Sequence, residues 1–158
     1  MCHEGTAFQR FAFPLRPHTQ ALSVNMIRED LKYPSMESAI SIFRKMGIEA
    51  STRFDKYDQD FEYTSCRVEE IEEYFEMYQK GSTTEQEKRI LGCFLFECLN
   101  EYIQNNEKVH VVFIEAMAQL HRDEYIHITE IEYWTNTEDP DKENWWPITK
   151  HVLQWRNT

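Results

Sequence analysis

The stretch Thr83 to Gln104, TTEQEKRILGCFLFECLNEYIQ, contains both a helix start and more apolar surface than one exposed face can accommodate. Thr83 followed by Gln86, or Thr84 followed by Glu87, supplies a capping box: the hydroxyl accepts one free backbone N–H and the side chain three residues on accepts another. Ile90, Leu91, Phe94, Leu95, Cys98, Leu99, Tyr102 and Ile103 then recur at helical spacing over a broad arc. So wide an arc places this helix at the centre of a core. Gly92 interrupts the arc, which predicts a second helix crossing closely at that point. Asn105-Asn106 supplies the break.

The remaining segments arrange themselves around this helix. Ser35 caps a helix bearing Met36, Ile40, Phe43 and Met46, and Gly47 closes it in the left-handed conformation. Residues 51–63 show no sustained period and read as a structured loop or a short helical turn. Ser65 is placed as the cap of a second amphipathic segment, with Val68, Ile71, Phe75 and Tyr78 as its apolar stripe and Gly81 as its stop. VHVVFIEAMAQLHR starts with β-branched residues, but the chain offers no partner strand, so a helix is expected. DEYIHITEIEYW repeats the pattern with Tyr125, Ile128, Ile131 and Trp134, and Pro147 opens a last helix. With only four glycines and five prolines, the predicted fold class is all-α: an antiparallel helical bundle or short helix-repeat stack of about five to six helices.

At 158 residues the chain suits one domain. Residues 1–25 carry Pro14, Pro17 and one acid against two bases, and read as a loosely ordered N-terminal extension; residues 26–158 read as a single acidic helical domain. The phenylalanines of the extension are broken by Arg, Gln and Pro, unlike a signal-peptide core. No apolar run approaches the about 18 residues of a membrane span. Cys2, Cys66, Cys93 and Cys98 lack metal-ligand spacing, and Cys93 and Cys98 lie roughly 140° apart around an ideal helix. Buried free thiols and a cytoplasmic location are expected.

The formal net charge is −11, and residues 26–158 hold 27 acids against 15 bases. Such a balance repels phosphate backbones, which argues against direct nucleic-acid binding and in favour of a basic protein partner. Two places concentrate the acids. Glu69, Glu72, Glu73 and Glu76 fall on one helix face, with only Lys80 near enough in the segment to compensate. In DPDKENWWP, Asp139, Asp141 and Glu143 alternate before Trp145 and Trp146. The alternation imitates a calcium loop, but Asn144 stands at the sixth position in place of glycine and Lys150 at the twelfth in place of glutamate. The stretch reads as a helix start, with one indole turned inward and the other nearer the surface as an anchor for an Arg or Lys of a partner.

Catalytic equipment is sparse. Glu124 and His127 form an E-x-x-H element, the spacing found in di-iron bundles, but no second copy exists, and His127 reads as a surface or half-buried side chain. No phosphate loop, dinucleotide glycine pattern or nucleophile elbow occurs. Neither catalytic residues nor a cofactor or metal are expected. In charge and helicity the chain is similar to small acidic immunity proteins, although the tyrosine-pair motif of nuclease-colicin immunity proteins is absent. The expected function is a non-catalytic, acidic protein-binding domain of the immunity type, neutralising a basic, nuclease-like bacterial toxin by direct binding. A helical adaptor or regulatory subunit is the second class, and a helical metalloenzyme using Glu124 and His127 the third.

Overall fold

The computed structural model describes residues 28–158, so the expectation for residues 1–25 lies outside the described residues. Among these the fold is all-α, with seven helices and no strand: α1 (Met36–Lys45), α2 (Phe61–Thr64), α3 (Ile71–Gln79), α4 (Glu85–Asn106), α5 (Phe113–Arg122), α6 (Glu124–Trp134) and α7 (Thr149–Arg156). One more helix is present than the five to six expected, because the stretch read as a structured loop or short helical turn, residues 51–63, runs into the single turn α2. No helix among the described residues is long and apolar enough to cross a membrane.

α4 is the axis of the molecule. Every residue from Arg89 to Phe96 and from Cys98 to Asn100 is buried, and α1, α2, α3, α5 and α6 all pack against it. A repeat stack, in which each unit meets only its neighbours, is thereby replaced by a bundle around one helix. The helix starts at Thr84: its hydroxyl accepts the Glu87 N–H at 3.1 Å, while the Glu87 carboxylate accepts the Thr84 N–H at 2.9 Å. The Thr83 hydroxyl instead donates to the Met77 carbonyl at 2.6 Å. At the other end Glu107 takes the left-handed conformation, with φ 56°.

Gly92 marks the crossing of α6 over α4. A Cβ there would lie 2.4 Å from Nδ1 of His127, so only a residue without one lets the imidazole sit against the helix backbone. The Ser35 hydroxyl accepts the Ser38 N–H at 3.1 Å to start α1, and Gly47 follows that helix with φ 73°. Packing centres on Phe94, whose ring lies 5.5 Å from Phe43 and 5.2 Å from Tyr74.

Three boundaries differ from expectation. Ser65 closes α2, its hydroxyl donating to the Phe61 carbonyl, while α3 is entered through a 3-10 turn at Val68–Glu70. Val109 to Val112 stay outside α5, since the His110 ring accepts the Val112 N–H at 3.3 Å and its carbonyl accepts the Phe113 N–H, turning the chain before the helix begins. α7 begins two residues after Pro147, and Asn100 of α4 receives the Ile148 N–H at 3.1 Å on a buried side-chain oxygen. Cys93 and Cys98 are buried free thiols as expected, but Cys66 is only half-buried.

Candidate partner-binding surface

α3 turns Ile71, Tyr74, Phe75, Met77 and Tyr78 into the core, which leaves Glu72, Glu73 and Glu76 on its exposed side, with Glu69 exposed in the 3-10 turn just before it. Their neighbour Glu70 behaves differently. It pairs with the Arg53 guanidinium and accepts the Tyr74 hydroxyl; burial opposes its charge, but these partners hold its carboxyl below the usual range. None of the four exposed glutamates forms a salt bridge with any described residue. Two shallow grooves flank the stripe and meet at Glu73. One runs past Met46, Ile48 and Met77 together with Glu70, Lys45 and Lys80, and the other past Val68, Tyr102 and His110. Lys45 adds little free charge there, because its ammonium is held at 2.6 and 2.7 Å by Glu87. The arrangement is an exposed acidic ridge of four carboxylates between margins of mixed polar and apolar lining, with Lys80, in no salt bridge among the described residues, in the groove beside Glu73 and Glu76.

The acids of the DPDKENWWP loop first organise the loop itself. Asp139 accepts the Asp141 N–H at 2.8 Å on one carboxylate oxygen and the Asn144 amide at 2.9 Å on the other. Asp141 accepts the Glu143 N–H at 3.0 Å. The Trp145 indole donates to the Asp139 carbonyl at 2.9 Å. Neither indole is a core residue: Trp145 is half-buried, and Trp146 is 42% exposed with its ring 5.3 Å from buried Trp134 and 5.7 Å from Tyr133. Ile148, fully buried, supplies the inward anchor that one tryptophan was expected to provide. The tryptophan groove and the grooves beside α3 share no residue, so the structure holds two separate candidate surfaces.

The E-x-x-H element does not present a common face. Glu124 is exposed while His127 is completely buried, contrary to the surface or half-buried position expected of it. The cause is Gly92, which opens a seat on α4 that the sequence spacing of α6 alone does not reveal. His127 Nε2 lies 2.8 Å from the Tyr78 hydroxyl, and that hydroxyl donates to Asp123 at 2.9 Å, alongside Lys88 at 3.0 Å. Because the tyrosine proton goes to the carboxylate, Nε2 carries the imidazole hydrogen and donates to Tyr78. Nδ1 is then a buried acceptor with no hydrogen-bond partner among the described residues. Burial, reinforced by nearby Arg89, lowers the His127 pKa to about 3. The ring is neutral and structural, with its nitrogens turned away from Glu124's solvent.

Sequence reasoning missed a second buried network. Arg89 donates to the Leu31 carbonyl at 3.1 Å, to Thr129 at 2.8 Å, to Glu130 at 3.0 Å and to the Cys93 sulfur at 3.1 Å. The signal was present: a charged residue inside an arc as wide as that of α4 must find a partner on a facing helix. Burial pushes the Cys93 thiol well above its ordinary range, so it serves as a packing group rather than a nucleophile. No protein-family profile, curated protein or solved structure matches the chain.

Proposed function

We propose that the chain is a non-catalytic, acidic protein-binding domain whose partner is a basic protein, in its most concrete form an immunity-type inhibitor that neutralises a nuclease-like toxin by direct binding. The observation that carries this reading is the ridge of Glu69, Glu72, Glu73 and Glu76: four exposed carboxylates along α3 and the 3-10 turn that leads into it, in no salt bridge among the described residues and flanked by two shallow grooves of mixed polar and apolar lining. Like charges at these spacings cost a few tenths of a kcal/mol per pair on an isolated helix, so a cationic partner relieves a repulsion built into the free protein. A nuclease site, being cationic in order to hold phosphate, is a natural complement. The cytoplasm is the proposed setting, in keeping with the free thiols of Cys66, Cys93 and Cys98.

The test is co-expression with the product of the neighbouring gene. An inhibitor of this kind makes that product tolerable to a host it otherwise kills, and the two proteins co-purify as a stoichiometric complex that dissociates at high salt. A harmless neighbour that forms no complex with the chain argues against the inhibitor reading. A harmless neighbour that still binds in a salt-sensitive way favours an adaptor.

A further inference from the structure

The groove beside the tryptophans has a more specific chemistry than the ridge on α3. Its volume is about 310 Å³, and Tyr133, Trp145 and Trp146 line it together with Glu138 and Asp139. The rings are held by contacts within the fold. Trp146 is backed by Trp134, Trp145 is tied by its indole to the Asp139 carbonyl, and Tyr133 is tilted 36° to Trp146. Tyr133 and Trp146 remain 45% and 42% exposed, so aromatic surface is left uncovered by the fold.

The polar side of the groove has acceptors to spare. Each carboxylate oxygen of Asp139 accepts one hydrogen bond from the loop, leaving further lone-pair capacity on both. The Glu138 carboxylate is exposed and has no hydrogen-bond partner among the described residues. Within the loop the Lys142 ammonium sits over Trp145, 5.7 Å from its centroid, a geometry in which the electron-rich ring face attracts a cation.

We propose that this groove is a pocket for the guanidinium of an arginine side chain, presented by the basic partner. The inference rests on the reading of the chain as a binder of a basic protein and names the group that a second surface of that binder receives. A planar, weakly hydrated guanidinium stacks on an indole or phenol face while its edge donates to a carboxylate; a lysine ammonium offers neither the plane nor the fork. Because the rings and Asp139 are already held in place, little ordering opposes entry.

The probe is N-acetyl-arginine amide, with N-acetyl-citrulline amide as its neutral isostere and N-acetyl-lysine amide as the non-planar cation. Binding is read from the indole N–H resonances of the intact protein. The expected result is saturable movement of the Trp145 and Trp146 signals by the arginine probe at millimolar concentration, with the citrulline probe weaker by at least about threefold, on the scale of an exposed cation–π contact. Glu138→Gln, an exposed change that leaves the fold alone, weakens the arginine probe and not the citrulline probe. Trp146→Ala abolishes the Trp145 response, and Trp146→Phe, which retains a ring against Trp134, restores part of it. Equal binding of arginine and citrulline probes, or no saturable movement of either indole, overturns the proposal. A basic partner that still binds through the α3 ridge while the arginine probe fails excludes the pocket and spares the wider reading. Arginine binding in the absence of any basic partner upholds the pocket alone.

Discussion

His127 and Gly92 act as one device. The imidazole replaces the side chain that position 92 lacks, so Gly92→Ala drives a methyl group into the ring at 2.4 Å. The expected loss is about 1–3 kcal/mol, the range for overpacking a close-packed core. Combining it with His127→Ala, which vacates the seat, should recover part of the loss attributable to the clash, as a double-mutant cycle by urea denaturation will read. The buried ring also sets a pH dependence. Its folded pKa of about 3 lies below the ordinary 6.5, so the unfolded chain takes up the proton first. This contribution is complete above about pH 6.5 and is lost as pH falls towards 3, amounting to a few kcal/mol in all by linkage. Burial also lowers the pKa of His121 and His151, so His127→Gln is the control: the stability of the wild type should fall more steeply than that of the variant between pH 6.5 and 5. Parallel slopes contradict a neutral buried imidazole.

Among the elements, α4 was the most legible in sequence because every local signal agreed: capping box, broad apolar arc and interior glycine. Its prediction is correspondingly direct. Phe94, completely buried between Phe43 and Tyr74, should cost about 3–5 kcal/mol when replaced by alanine, and a loss under about 1 kcal/mol in equilibrium unfolding contradicts its central place. The exposure of Glu72, Glu73 and Glu76 was legible for the same reason, since spacing alone puts them opposite the apolar stripe of α3, whereas Glu69 lies in the 3-10 turn before the helix. The start of α3 was not. Ser65 has the composition of a cap, but its hydroxyl is taken by the Phe61 carbonyl of a helix only four residues long, and such short turns have no periodicity to read. The burial of His127 was hidden for another reason: it depends on a vacancy on a different helix, 35 residues earlier in the chain. The tryptophan loop was half legible, as its role before a helix follows from Pro147, whereas the burial of each indole depends on where α6 ends.

At the scale of the molecule, a core organised around one buried helix frees the outer helices to carry charge without compromising the fold. In the proposed reading the acidic excess serves recognition, and its removal should leave stability intact. Replacing Glu72, Glu73 and Glu76 together by glutamine keeps helix propensity nearly constant and removes three mutually repelling charges. Thermal unfolding of this variant should match or slightly exceed the wild type. Binding should not be spared, because charges on the rim of an interface act mainly on the rate of encounter. The decisive measurement is the association rate of the proposed basic partner, followed by stopped flow across a range of ionic strength, for the wild type and the E72Q/E73Q/E76Q variant. The account predicts a wild-type rate that falls steeply as salt is added, and a variant that associates about three- to tenfold more slowly at low salt with a shallower dependence. Rates that superimpose at every ionic strength contradict it and return the ridge on α3 to the role of a solvated helix face.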